Sequence, residues 1–274
     1  DEILEQIVRA YRTIRNTLRF QIGNLFDFDR ENDALSVQEL SPIDRWALHK
    51  TADLIGGVTE AFDAYEFHRG IQLLNRYCST ILSAVYHDVL KDRLYTLASD
   101  HPLRRSSQTA LDFLFRVLVR LLAPVVPFTT DEAWSHCVAG EDFCEEPIAL
   151  QSWPEIDPAW RGGLEVEDVR LILAFKATVV NDALERLREE KVMGESLDAE
   201  VEVYGHPQNE TFAALRRHEN LLPEFFITSS VLLSEAPVDE GEPTVEVRHA
   251  PGVRCPRSWR WVPELVHVEP WGGV

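Results

Sequence analysis

Between Gln6 and Phe26 the chain carries four arginines, Arg9, Arg12, Arg15 and Arg19, and no carboxylate. A guanidinium offers a planar fork of donors that pairs with phosphate oxygens, so the spacing of such groups decides what they can grip. At helical periodicity the four fall on one face, and Ile7, Tyr11, Ile14, Leu18 and Leu25 fall on the other. Asn16 and Phe20 border the arginine stripe. A basic face edged by an amide and an aromatic suits a folded RNA, because phosphates pair with guanidiniums and a splayed base stacks on a ring. The alternative is a solvated face whose arginines pair with acidic neighbours. The candidate RNA contacts on this segment are Arg12, Arg15, Asn16, Arg19, Phe20 and Asn24.

Two other segments carry candidates. Lys91 and Arg93, in KDRLY, add to an RNA surface near the end of a later helix. The competing reading is a local ion pair at a helix C-terminus, where the helix dipole stabilises cations. In RCPRSWRW at 254–261, Arg257 and Trp259 are a secondary RNA contact through phosphate pairing and stacking. Cys255 in the same segment is a weak candidate metal ligand, with His249 and His267 as distant partners. Structural zinc takes four ligands, usually thiolates or imidazoles, so no metal is expected on this set.

Catalytic chemistry is missing from the sequence. No Walker-type glycine loop and no H-E-x-x-H helix occurs, and no local arrangement sets a nucleophile beside a base. His49, His68 and His87 read as structural or solvent-facing, and Glu189-Glu190 as a solvated face. No catalytic residue and no cofactor is expected in this chain.

The elements that must position these groups read as helices over 3–26, 42–67, 70–95, 106–123 and 129–139. Pro42 stands at a first helical position, Thr129 and Glu132 have capping-box spacing, and Pro124 and Pro127 impose a break. Gly56-Gly57 marks either a kink or a close helix contact. A Pro-, Trp- and acid-rich connector follows, then a helix over 165–190 and strands at Glu200–Tyr204 and Val231–Leu233 with a short helix at Phe212–Asn220 between them. The expected class is mainly α: an antiparallel helical bundle over 1–140, a connector over 141–163, and a small α+β domain over 164–274. Leu111, Leu114, Val117, Leu118 and Leu121 recur at helical spacing and should form the bundle core.

With 46 acidic and 27 basic residues in 274, the chain has a formal net charge of −19. That balance opposes general nucleic-acid affinity, since phosphate neutralisation supplies much of it. The acids concentrate in 27–33, 141–146, 165–168, 195–202 and 235–246, which leaves the first helix clear. A basic face on an acidic body still docks RNA while the remaining field repels it from other surfaces. Four unevenly spaced cysteines, Cys78, Cys137, Cys144 and Cys255, suggest a reducing cytosol rather than a disulfide framework. The absence of an initiator Met and the mid-helix opening DEILEQIV suggest a piece of a longer polypeptide.

YRTIRNTLRFQIGNLFDFD at 11–29 resembles the opening helix of the anticodon-binding domain of bacterial isoleucyl-tRNA synthetases. The likeness continues in order through SPIDRWALHK at 41–50, AYEFHRGIQLLNRYC at 64–78, HDVLKDRLYT at 87–96 and RRSSQTALDFLFRVLVRLLAPVVPFTTDEAW at 104–134. VVNDALERLREEKVMGESLDAEVEVYG at 179–205 is similar to the junction domain of the same family, and RCPRSWRW to its zinc knuckle. The family knuckle is C-P-x-C-W, and Ser258 stands here in place of the second cysteine. The resemblance implies a part that grips the anticodon stem and loop of isoleucine tRNA. It also implies a parent enzyme that uses ATP and Mg2+, with Zn2+ as a further candidate. The H-x-G-H and K-M-S-K-S motifs of class I synthetases are absent, so this part should be inactive alone. The implied partners are isoleucine tRNA and the catalytic and editing domains of the same polypeptide, in a cytoplasmic monomer with no membrane contact. Two other readings stand beside it: a stand-alone helical RNA-binding paralogue, and a protein-interaction scaffold without RNA binding.

Overall fold

The computed structural model describes residues 2–136, 146–236, 241–268 and 272–273. Cys137, Cys144 and the expected boundary near 140 lie outside those residues. The chain divides into two compact units, Asp1–Val166 and Glu167–Val274. The first is helical and the second mixes helices with a small sheet.

The helical unit runs α1 (Glu2–Asn24), α2 (Arg30–Asp33), α3 (Pro42–Asp63), α4 (Phe67–Arg76), a π-helical stretch Tyr77–Tyr86, α5 (His87–Thr96), α6 (Pro102–Leu122) and α7 (Pro127–Ser135). The apolar face of α1 differs from expectation in its first turns. Ile14, Leu18 and Leu25 are buried with Thr17 and Gln21, at spacings of three and four, whereas Ile7 is 59% and Tyr11 39% exposed. Leu111, Leu114, Val117, Leu118 and Leu121 of α6 are all buried and form the centre of the core, as their spacing required.

Two local readings need correction. Thr129 and Glu132 do not cap α7: the helix begins two residues earlier, with Pro127 at its first position and Val126 as N-cap. Proline there loses no hydrogen bond, and Thr129 instead meets the Tyr11 hydroxyl at 3.0 Å. Likewise α6 begins at Pro102, ahead of 106, because His101 caps it by accepting the Leu103 amide at Nδ1 (3.2 Å). The glycine pair of α3 is a close contact and not a break. The helix is unbroken, and a Cβ on Gly57 would lie 3.3 Å from Leu73 of α4. From the facing side, a Cβ on Gly70 would meet the Phe62 ring at 2.2 Å.

A buried polar knot pins α3, the π-helical stretch, α5 and α6. Asp44 is fully buried and accepts from Tyr86 at 2.6 Å, Ser41 at 2.7 Å, Ser106 at 2.6 Å and Ser107 at 3.3 Å. Arg93, also fully buried, supplies the countercharge at 3.4 Å and donates to the Ser41 hydroxyl at 2.8 Å. Burial foremost, with the Asp44 charge behind it, pushes the Tyr86 phenol well above its ordinary range.

The second unit opens with α8 (Leu164–Phe175), a π-helical stretch Lys176–Val180 and α9 (Asn181–Glu189), then β1 (Ala199–Gly205), α10 (Glu210–Arg217), α11 (Leu222–Phe226), β2 (Ser230–Glu235) and β3 (Thr244–His249). β1 is central, parallel to β2 and antiparallel to β3, with Val201 opposite both Val231 and Val247. β3 was not expected from sequence. Asp168 near the start of α8 is held by Arg217 at 2.5 Å and His218 at 3.0 Å, and these contacts, Arg217 first, keep its carboxyl below the usual range despite burial.

Candidate nucleic-acid interface

Arg12, Arg15, Asn16 and Arg19 are exposed on α1, in the stripe their spacing described. Arg9 pairs loosely with Glu5 at 3.6 Å. Arg12, Arg15 and Arg19 have no carboxylate partner among the described residues. The neighbouring acids that the solvated-face reading would pair with these three guanidiniums are not in contact with them among the described residues.

Two depressions flank the stripe. One, of about 350 Å³, lies between Arg15, Leu18, Arg19 and Ile22 of α1 and Thr129, Glu132 and His136 at α7. The other, of about 390 Å³, is lined by Asn16, Arg19, Phe20, Gly23, Asn24 and Tyr95. Arg19 and Gly23 border both. The floor of the second is aromatic: Phe20 stacks on His87 with centroids 4.2 Å apart and planes 19° apart. Burial, with the Lys91 charge adding to it, pushes His87 down to about 3, so the imidazole beneath Phe20 is neutral at physiological pH. Asn24 is buried and its amide donates to the Phe20 carbonyl at 2.8 Å, so it closes the end of the depression and braces the turn that carries Phe20.

The arrangement can hold a phosphodiester strand on cations with an unpaired base in an adjacent hollow. Sequence reasoning did not single out Tyr95 or Gly23, which line the second depression, and its reading of His87 as structural agrees with the burial of that ring beneath Phe20. Tyr95 is 58% exposed at the tip of α5, and an exposed aromatic directly after the basic segment was its only signal. Gly23 gave none, since its part is to leave space.

The remaining candidates divide. Lys91 is exposed and pairs with Asp88 at 2.7 Å. Arg93 is withdrawn as an RNA contact, because it is fully buried against Asp44. Its guanidinium serves the core, reaching Ser41, Asp44 and Ser107. Arg257 and Trp259 are exposed in the second unit, in the turn joining β4 (Val253–Arg254) to β5 (Trp261–Val262). Trp259 adopts a φ of 63° and Arg254 stacks over its ring at 5.7 Å.

That turn folds around the Cys255 side chain. The Ser258 amide points at the Cys255 sulfur at 3.5 Å, and the Trp259 amide donates to the Cys255 carbonyl at 2.9 Å. Burial raises the Cys255 thiol, but the Ser258 hydroxyl, the adjacent amides and Arg257 outweigh it and bring the thiol below its ordinary value. His249 is turned away, bonded to the Ala250 carbonyl and packed edge-on to Trp261. Among the described residues no three His, Cys, Asp or Glu side chains converge, so the residues present do not fit a structural zinc.

Among the described residues no helix is long and apolar enough to cross a membrane. The family described as the anticodon-binding domain of tRNA ligase matches residues 44–203. The chain is 40% identical to an isoleucine–tRNA ligase of Thermotoga maritima over 99% of its own length, which is 30% of that relative. It is 35% identical to the enzyme of that name from Caldanaerobacter subterraneus, over 95% of the chain and 28% of the relative. Against the Desulfotalea psychrophila isoleucine–tRNA ligase it is 39% identical over 94% of the chain and 28% of the relative. The chain thus spans about 30% of the length of the relatives it matches. With more than half of its residues inside the family match, this chain belongs to the anticodon-binding domains of tRNA ligases.

Proposed function

We propose that this chain is the tRNA-recognition part of an isoleucine–tRNA ligase and that α1 presents the surface that meets the anticodon stem and loop. The observation that carries the reading is the row of unpaired guanidiniums, Arg12, Arg15 and Arg19, beside the hollow floored by Phe20, on a body of net charge −19. Phosphates seated on the arginines set the register, and a base turned out of the loop enters the hollow against Phe20 and Tyr95, with Asn16 offering an amide edge and Asn24 closing the hollow's end. Lys91 adds a peripheral cation, and Arg257 with Trp259 a secondary contact from the second unit. The chain's own work is binding. Isoleucine transfer with ATP and Mg2+ belongs to the remainder of a longer cytoplasmic polypeptide, which acts as a monomer and whose catalytic and editing domains are this region's partners.

The test is discrimination. An isoleucine tRNA transcript should bind the 274-residue chain about tenfold more tightly than the same transcript with its anticodon replaced, since one or two base contacts differ. Equal affinities would remove anticodon recognition from the account.

A further inference from the structure

The hollow between α1 and α7 is walled by two helix faces of matching period. Arg15, Leu18, Arg19 and Ile22 line one side, and Thr129, Glu132, Ala133 and His136 line the other. Residues three, four and seven apart stand above one another on a helix, so each set forms a single strip. The Thr129 hydroxyl is engaged by Tyr11 at 3.0 Å, which leaves Glu132 and His136 as the available polar side chains of the α7 wall. We propose that this hollow is a second base subsite, beside the one floored by Phe20, and that Glu132 selects a guanine there. The proposal rests on the reading of α1 as an RNA surface and names what the neighbouring hollow takes.

The observation that carries it is a carboxylate set into an anion-binding face. Glu132 is exposed and is the one acid lining the hollow among the described residues. It shares that lining with Arg15 and Arg19 and forms an ion pair with neither. Its carboxylate therefore leaves the arginines open to phosphates, while its own charge repels an approaching strand. Such a charge lowers affinity for every RNA unless the ligand brings donors to meet it. A base edge bearing N–H groups supplies them, and the flanking guanidiniums hold the strand against the remaining repulsion.

The identity of the base follows from hydrogen-bond chemistry. An ionised carboxylate only accepts, and does so through two oxygens. Guanine alone among the bases sets two N–H donors side by side on its pairing edge, N1–H and the N2 amine. Uracil offers a single N–H between two carbonyls, and adenine and cytosine set an amine beside an acceptor nitrogen that a carboxylate repels. Unpaired bases are read on these edges in single-stranded loops. Leu18, Ile22 and Ala133 give the flat faces of a purine an apolar lining, and the volume of about 350 Å³ falls in the range of small-ligand pockets. Arg19 and Gly23 border both hollows, so one strand can place a base in each with a phosphate on Arg19.

The test uses RNA hairpins with an all-uridine loop, in which guanine, inosine or adenine replaces one loop uridine, each position in turn. At one position guanine should bind the 274-residue chain about tenfold more tightly than adenine or uridine, the gain of a charge-assisted pair. Inosine lacks the N2 amine and should forfeit most of that gain. Glu132→Gln should abolish the guanine preference at an unchanged melting temperature and leave the all-uridine hairpin bound at least as well. A bare surface charge gives the opposite sign, because its removal tightens every hairpin alike. The comparison of guanine with inosine needs no variant and decides the matter if Glu132→Gln does not fold. Arg15→Glu with Arg19→Glu should weaken all the hairpins, and binding unaltered by that change overturns the α1 reading and this subsite with it. Arginine-dependent binding with no guanine gain at any position, with inosine equal to guanine, or with Glu132→Gln tightening every hairpin alike overturns the subsite and leaves the α1 reading standing.

Discussion

Lys91 and Arg93 stand two residues apart in α5 and have opposite surroundings: one meets solvent and Asp88, the other is sealed against Asp44. Two helical steps turn a side chain by about 200°, so the pair could never share a face, and that geometry was legible beside the charge. Replacing Arg93 by alanine strands Asp44 among hydroxyls and should cost on the order of 3–5 kcal/mol in urea denaturation, against near zero for Lys91→Ala. Wild-type stability in Arg93→Ala would refute the knot. His87 gives a pH signature. Its native pKa, about 3, lies below the ordinary value of 6.5. The unfolded chain therefore takes a proton first as pH falls. Stability is complete above about pH 6.5 and declines toward pH 3, by at most about 1.4 kcal/mol per unit. His87→Gln should flatten this slope, and an unchanged slope would assign the acid loss to other groups. Gly23 tests the hollow. A Cβ there meets nothing within 4 Å, so Gly23→Leu should fold at least as well as the parent, gaining helix propensity, and yet weaken RNA binding by filling both depressions. Undiminished RNA binding in a folded Gly23→Leu protein would detach the depressions from function.

At the scale of elements, strong periodicity and proline positions carried the helices. Pro42 and the leucine spacing of α6 were plain in the sequence, and the bundle followed by a small α+β unit is the observed order. Helix starts were less legible where the cap was unusual, as at His101 and Val126. β3 escaped notice because its alternation, TVEVRH, follows directly on an acidic run, and its partner is the distant β1 and not a neighbouring hairpin strand. The π-helical stretches at Tyr77–Tyr86 and Lys176–Val180 have no sequence signal that separates them from ordinary helix. Glycine was informative only in pairs of elements: Gly57 and Gly70 make sense once α3 lies against α4. Gly70→Ala should therefore destabilise by about 1–3 kcal/mol through overpacking on Phe62, although alanine is the better helix former. A stabilised Gly70→Ala protein in thermal melts would show that Phe62 moves aside freely.

For the molecule as a whole, a charge of −19 and a role in gripping RNA are compatible only if binding is confined to a patch. The family match begins at residue 44, so the proposed patch on α1 rests on its own chemistry and on the likeness to longer relatives. That makes α1 the element whose role most needs measurement. Filter binding of isoleucine tRNA to the 274-residue chain should be followed across a range of salt concentrations, with and without Arg15→Glu and Arg19→Glu together. Each phosphate contact contributes close to one unit of slope in log affinity against log salt, so losing two should flatten the line by about two units and weaken binding at every salt. An affinity and slope identical to the parent's would contradict the assignment of the α1 face to RNA.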